Sequence, residues 1–247
     1  MKLIRNIPFA IWMYANLIPI MKEKRLIAKY RREGNLKKEQ EAIASLLSPW
    51  ATKILDRYGV EVAACGHENI PKGPVLFVSN HQGYSDIIVF MSVLRGKQIG
   101  FVAKKTLNKV PGFGPWIRAI RSLYLSQDDS RAAVKVFQTG EQWLREGFSL
   151  VIFPEGHRSL GDGMNDFKKG SLRLATKAGV PIVPVSLMGT WHIYEERGYP
   201  GPGKVLFHIH PPIHTAGLSR EELLRLPIKV EKIVRDKVAE WNREDKE

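Results

Sequence analysis

Hydrophobic and polar residues follow two different rhythms along the chain. Up to about residue 60, one long apolar run is followed by apolar residues at helical spacing. Ile7–Met21 (IPFAIWMYANLIPIM) carries no charged residue. As a helix it would be about 22 Å long, short of the roughly 30 Å hydrocarbon core of a bilayer. Pro8 and Pro19 argue against a single straight helix. Trp12 and Tyr14 suit an interfacial zone, so the segment is expected to dip into one leaflet or to lie along the membrane surface. The competing readings are a full span with Lys2 and Arg5 snorkelling, and an ordinary buried helix. A cleaved leader needs small residues at its end, but Lys22-Glu23-Lys24-Arg25 stands there instead. Further on, Ile43, Leu46, Leu47, Trp50 and Ile54 predict a second amphipathic helix, which Pro49 is expected to bend or break.

From about residue 61 short apolar runs alternate with helical patterns. Pro74–Ser79, Gln98–Ala103, Ser122–Leu125, Phe148–Phe153, Val180–Leu187 and Val205–His210 read as strands. Asp86–Leu94, Ser130–Glu146 and Gly170–Ala178 read as helices, the last two closed by Gly147 and Gly179. Leu107–Trp116, rich in glycine and proline, reads as a loop. Ser219 with Glu222 forms a capping-box signature ahead of C-terminal helices. This alternation predicts an α/β fold, a largely parallel sheet flanked by helices, with an N-terminal helical membrane-anchoring segment. The division expected is residues 1–60 for the membrane-associated helical segment and residues 61–247 for a catalytic domain.

Composition sharpens this picture in two ways. The single cysteine, Cys65, excludes a disulfide framework, a Cys-rich zinc site and a CxxC redox pair. The formal net charge is +13, and residues 1–60 hold twelve basic against five acidic residues. Lys22–Lys38 alone has eight basic residues against Glu23 and Glu33. Such an excess beside an apolar run points to an anionic surface, either membrane or nucleic acid. Next to headgroups, each of these charges contributes about 1 kcal/mol. The positive-inside tendency places the basic domain at the cytoplasmic face of the cell membrane.

Three segments carry candidate chemistry. Asn80-His81-Gln82-Gly83-Tyr84-Ser85-Asp86 joins a strand to a helix, and ligands of α/β sheets bind at such strand ends. His81 and Asp86, five apart, do not share a face of a continuous helix, but they can meet across a strand–loop–helix corner. A carboxylate on one imidazole nitrogen fixes the tautomer and frees the other nitrogen to take a proton. That is a base without its own nucleophile, suited to activating a substrate hydroxyl. The bland alternative has Ser85 capping the helix and Asp86 complementing its dipole. Ser85 itself lacks the second glycine of a nucleophile elbow, since Ile87 stands there. In Phe153-Pro154-Glu155-Gly156-His157-Arg158-Ser159, Gly156 permits an unusual turn and Arg158 offers planar donors for a phosphate. Glu155 either positions that loop or bonds a substrate hydroxyl. Lys104 and Lys105 are adjacent at a strand end, so one of them is expected to face the site. Two other motifs are set aside. Gly198–Val205 approaches a P-loop but lacks the hydroxyl and the following helix. His208, His210 and His214 lack an Asp, Glu or Cys nearby to complete a metal site.

Taken together, these segments resemble the glycerolipid acyltransferase family, specifically 1-acylglycerol-3-phosphate acyltransferases. Four ordered blocks between about residues 66 and 212 carry the resemblance. They are Asn80-His81…Asp86; Lys104-Lys105 with Pro111-Gly112-Phe113-Gly114; Phe153–Ser159; and Val180-Pro181-Ile182-Val183-Pro184-Val185. The chain departs from the pattern at His157, where threonine is usual, and at Ser126-Gln127, where Asp-Arg is usual. The resemblance implies transfer of a fatty acyl group from an acyl thioester, of acyl carrier protein or coenzyme A, to the sn-2 hydroxyl of lysophosphatidic acid. Phosphatidic acid, a phospholipid precursor, is the product. It implies that His81 deprotonates the hydroxyl, Asp86 orients the imidazole, and Arg158 with Lys104 or Lys105 grips the phosphate. Glu155 and Gly156 are implied to position the substrate. The reaction calls for no metal or redox cofactor, and the implied partners are a membrane and the two substrates, not nucleic acid. The alternatives are acylation of glycerol 3-phosphate or another lysophospholipid, and a non-enzymatic basic binding module.

Overall fold

The computed structural model describes residues 2–126 and 130–244. In chain order the elements are α1 (Lys2–Arg32), α2 (Leu36–Arg57), β1 (Val60–Cys65), β2 (Leu76–Ser79), α3 (Ser85–Val93), β3 (Gly100–Lys104), α4 (Phe113–Ala119), β4 (Leu123–Leu125), α5 (Ser130–Arg145), β5 (Leu150–Ile152), α6 (Arg173–Ala178), β6 (Ile182–Met188), β7 (Gly203–Ile209) and α7 (Arg220–Glu244). The seven strands form one sheet in the order β1-β7-β6-β2-β5-β3-β4. All neighbouring pairs are parallel except β6 and β7. The α/β class with a largely parallel sheet is therefore the fold observed. Every residue of β2, β5 and β6 is buried, which is why these strands read as unbroken apolar runs rather than alternating ones.

The order of the strands decides where chemistry is possible. β6, β2, β5 and β3 are adjacent and mutually parallel, so their C-terminal ends lie along one edge of the sheet. Asn80-His81 follows β2, Phe153–Ser159 follows β5, Lys104 ends β3 and Gly189-Thr190 follows β6. Segments far apart in sequence thus meet at the edge where α/β sheets bind ligands.

Several local expectations need correction. α2 continues through Pro49 rather than breaking there, and α1 is one helix across Pro8 and Pro19. A proline inside a helix costs about 3 kcal/mol. In α2 the buried face formed by Ile43, Leu47, Trp50, Ala51 and Leu55 outweighs this, since each large side chain contributes about 1.5–3 kcal/mol. Leu107–Trp116 is not a loop throughout. It holds the end of a 3₁₀ turn (Lys105–Lys109) and the start of α4, entered through Gly112 at φ +69°. β1 is an edge strand with alternating exposure, hidden in a sequence of modest hydrophobicity. The capping box forms as expected, with Ser219 N donating to Glu222 Oε2 at 2.7 Å and Glu222 N to Ser219 Oγ at 3.2 Å. Gln127, half of the pair at which the second block departs from its usual ending, lies outside the described residues.

The N-terminal helices pack on the sheet domain rather than standing apart. Leu17, Ile20 and Ile27 of α1 and Ile43, Leu47 and Trp50 of α2 share one hydrophobic cluster with Phe77, Phe90 and Phe101. The buried carboxylate of Glu39 pins both helices to the turn before β4, accepting from Arg31 Nε at 2.7 Å and from Arg121 Nε and Nη2 at 2.8 and 2.7 Å. Another part of α1 faces outward, with Ile7, Ile11 and Tyr14 exposed by 50, 66 and 39%. Among the described residues no helix is long and apolar enough to cross a membrane.

Candidate active site

The corner between β2 and α3 brings His81 and Asp86 together. Asp86 Oδ2 lies 2.5 Å from His81 Nδ1 and accepts from the backbone N–H groups of Gln82 at 2.8 Å and Gly83 at 3.2 Å. Thr190 Oγ1 donates to Asp86 Oδ1 in a short hydrogen bond. Asp86 is wholly buried, and a carboxylate surrounded by four donors is held rigidly. With Asp86 accepting, Nδ1 of neutral His81 carries the proton and Nε2 presents a lone pair. The ring stacks on Phe153, centroids 4.3 Å apart and planes 19° from parallel, which sets its second axis of rotation. Two loops therefore fix one imidazole.

Those loops are in turn braced from behind. Asn80 exchanges two hydrogen bonds with the backbone of Leu187 in β6, Nδ2 to O at 2.7 Å and N to Oδ1 at 2.9 Å. Gly189 N donates to Gln82 Oε1 at 2.8 Å. Glu155 is 3% exposed, and both its oxygens are engaged. Oε1 accepts from His81 N at 2.6 Å, and Oε2 from Asn165 N and Nδ2 at 2.7 and 2.9 Å. Burial raises the pKa of Glu155, against the opposing pull of these donors. Of the two roles considered for Glu155, the geometry supports positioning the loop; its oxygens are spent on the backbone of His81 and on Asn165. Gly156, at φ +75°, supplies the left-handed turn that carries the chain on to His157 and Arg158.

A cleft of about 330 Å³ opens in front of His81. Lys104, Gly156, His157 and Arg158 line it, as does Lys168. Lys104 Nζ lies 3.5 Å from His157 Nδ1, so the residue in the usual threonine position adds a second nitrogen at the basic end. Lys105 does not line the cleft, since it opens the 3₁₀ turn and adjacent residues at a strand end diverge. The Arg158 guanidinium lies 3.7 Å above the Tyr84 ring, with Nη1 donating to Glu195 Oε1 at 2.8 Å. Tyr84, Ile87 and Leu107 also wall a second, apolar cavity of about 450 Å³ that reaches Phe9 and Met13 of α1 and Ile54 of α2. One end of the site is basic, and the other joins an apolar chamber beneath the N-terminal helices.

No signal in the sequence marks Thr190 or Glu195 as parts of this site, and none assigns a role to Gln82 or Phe153, although both lie in the segments singled out for chemistry. Thr190 bonds Asp86 from 104 positions away and Glu195 bonds Tyr84 from 111, so no local spacing marks them. The expectation that no cysteine stands near His208 and His210 needs correction: the pairing of β1 with β7 sets Cys65 Sγ 3.1 Å from His208 Nδ1, while His210 Nε2 lies 2.8 Å from Ser186 Oγ of β6.

Comparison with known proteins identifies relatives of this chain. Residues 61–188 match the family model described as Acyltransferase. A chloroplastic 1-acyl-sn-glycerol-3-phosphate acyltransferase of Arabidopsis thaliana is 36% identical over 153 residues, 60% of this chain and 42% of the relative. A 1-acyl-sn-glycerol-3-phosphate acyltransferase of Borreliella burgdorferi is 30% identical over 182 residues, 73% of this chain and 71% of the relative. The chain spans about two fifths to three fifths of the length of the plant and algal relatives it matches. The crystal structure of the 1-acyl-sn-glycerophosphate (LPA) acyltransferase PlsC from Thermotoga maritima superposes with a TM-score of 0.73 at 31% identity, covering 98% of both chains. Because the matched half of the sequence takes in the His81–Asp86 corner, the Arg158 loop and the strands that unite them, the chain belongs to the acyltransferase family.

Proposed function

We propose that the protein is an O-acyltransferase that moves a fatty acyl group from an acyl thioester to the sn-2 hydroxyl of 1-acylglycerol 3-phosphate, giving phosphatidic acid. The observation that carries this reading is the placement of a carboxylate-backed imidazole between a basic cleft and an apolar cavity. The acceptor's phosphate is drawn to Arg158 and Lys104 by charge-assisted hydrogen bonds. Its hydroxyl then sits at His81 Nε2. As that nitrogen takes the proton, the oxygen attacks the thioester carbonyl. The tetrahedral intermediate collapses by breaking the C–S bond, and the imidazolium returns its proton to the departing thiolate. Asp86 stabilises the imidazolium while it exists. The chemistry needs no acyl-enzyme, consistent with the absence of a nucleophile elbow around Ser85.

Long acyl chains lose about 0.8 kcal/mol for each CH₂ left in water. The chamber reaching α1 offers them apolar contact, and the exposed Ile7, Ile11 and Tyr14 favour seating α1 on a lipid surface. With Lys22–Lys38 following, attachment at the interface of an anionic leaflet on the cytoplasmic side fits better than a span. The donor is acyl carrier protein or coenzyme A, and the assay resolves which.

The test is an acceptor panel with purified protein in detergent. Labelled acyl thioester of each carrier is supplied with lysophosphatidic acid, glycerol 3-phosphate or lysophosphatidylcholine. Phosphatidic acid as the dominant product is expected. Exclusive use of glycerol 3-phosphate, or indifference to the phosphate monoester, would refute the acceptor assignment.

A further inference from the structure

Glu195 is a carboxylate that the reaction does not use, buried beside the cleft with its side chain 8% exposed. It follows β6 and a 3₁₀ turn (Thr190–Ile193), on the segment that also brings Gly189 and Thr190 to the His81–Asp86 corner. A single oxygen, Oε1, accepts from Tyr84 N at 2.7 Å and from Arg158 Nη1 at 2.8 Å. The other oxygen, Oε2, is buried with no hydrogen-bond partner among the described residues and lies where a side chain on Gly83 would begin, 2.5 Å from an ideal Cβ. The carboxylate is thus wedged against Gly83-Tyr84, inside the loop that carries His81 and Asp86. Arg158, its other partner, is stacked at 3.7 Å on the ring of that same Tyr84.

The energetics argue against a purely stabilising role. Desolvating a carboxylate and a guanidinium costs about as much as their attraction returns, so a buried ion pair adds little stability over an apolar pair of the same shape. What the pair does provide is geometry. A free arginine side chain has four rotatable bonds. Here the guanidinium is held by a ring face below and a hydrogen bond at one nitrogen, which leaves its remaining N–H groups for a ligand.

We propose that Glu195 is the positioning residue of the phosphate site, holding Arg158 preorganised in the conformation that captures the acceptor's phosphate monoester. This rests on the acceptor assignment above and deepens it. It also explains why one oxygen serves both partners: the arginine and the base-bearing loop are referenced to a single atom, so they keep register with each other.

The experiment compares wild type, Glu195→Ala and Glu195→Gln in steady state, varying acceptor and donor separately, with melting temperatures alongside. The alanine variant should raise the lysophosphatidic acid KM by about tenfold or more, with kcat and the donor KM changed by less than about threefold. Glutamine retains an oxygen for Tyr84 N and Arg158 Nη1, and should restore the acceptor KM to within about threefold of wild type. An unchanged or lower acceptor KM in Glu195→Ala would overturn the proposal. So would a glutamine variant no better than alanine, or a parallel loss in both KM values, kcat and melting temperature, which is the mark of a structural role. A wild-type protein that acylates no phosphate-bearing acceptor would instead bring down the acceptor assignment, and this proposal with it. An active wild type with an indifferent Glu195→Ala would bring down this proposal alone.

Discussion

Replacing Asp86 by asparagine isolates charge from geometry at the base. Oδ2 of Asp86 faces His81 Nδ1, Gln82 N and Gly83 N, all of which donate to it. An asparagine that places its amide oxygen there keeps all three bonds and the His81 tautomer. Its NH₂ then falls at the Oδ1 position, opposite Thr190 Oγ1, and a hydroxyl can turn to accept rather than donate. The corner should therefore stay folded, and Gly83 N–H, which also contacts Oδ1 at 3.2 Å, can rely on Oδ2 alone. What disappears is the negative charge beside the imidazolium that forms during proton transfer. For charge centres about 4 Å apart at an effective dielectric near 20, that attraction is about 4 kcal/mol. A loss of about 3–4 kcal/mol from the transition state lowers turnover by about 10²–10³-fold. The assay is thiol release at saturating concentrations of both substrates, with near-ultraviolet circular dichroism to verify packing. Turnover within about tenfold of wild type, in a folded variant, would refute the role given to Asp86.

Two other predictions reach different parts of the molecule. Arg158→Ala removes a guanidinium that lines the cleft, and should raise the lysophosphatidic acid KM by about 10–100-fold while sparing the donor KM; unchanged acceptor kinetics would remove Arg158 from the phosphate site. His210, on β7, has its pKa lowered to about 4 by burial and by the facing charges of His208 and Lys237, against an opposing pull from Glu240. The folded state therefore resists protonating a ring that the unfolded chain protonates near pH 6.5, and stability is lost as pH falls from there toward 4. After discounting for partial exposure, His210→Gln should show an acid-induced loss of unfolding free energy smaller than that of wild type by about 1–2 kcal/mol between pH 7 and 4.5. Urea titrations at the two pH values measure this, and an identical loss in both proteins would contradict it.

The legible parts of the fold were those in which neighbouring residues share one cause. β2, β5 and β6 are buried on both faces, so burial wrote itself into Leu76–Ser79, Leu150–Ile152 and Ile182–Met188 as continuous apolar runs. The His81–Asp86 pair and the Arg158 loop were legible because each lies within one short strand-to-helix or strand-to-loop turn. β1 escaped notice because an edge strand needs only one buried face, and Val60–Cys65 has a weak pattern. The break offered for Pro49 did not occur because a local rule about lost hydrogen bonds yields to tertiary burial, of Leu47 and Trp50 in α2 as of Leu17 and Ile20 in α1. Thr190 and Glu195 were invisible because their partners come from the β2–α3 corner and the loop after β5, a relation set by strand order and not by sequence distance. The choice between Lys104 and Lys105, open from sequence, follows from the twist of the chain as β3 ends and the 3₁₀ turn begins.

The central claim is that His81 Nε2 takes the proton of the acceptor hydroxyl. The most direct measurement is the turnover of purified His81→Ala with lysophosphatidic acid and acyl thioester, both saturating, beside wild type of matched melting temperature. Loss of the base should lower kcat by at least about 10²-fold with the acceptor KM little changed, since Arg158 and Lys104 remain. A folded His81→Ala protein that turns over at a rate near wild type would contradict the account.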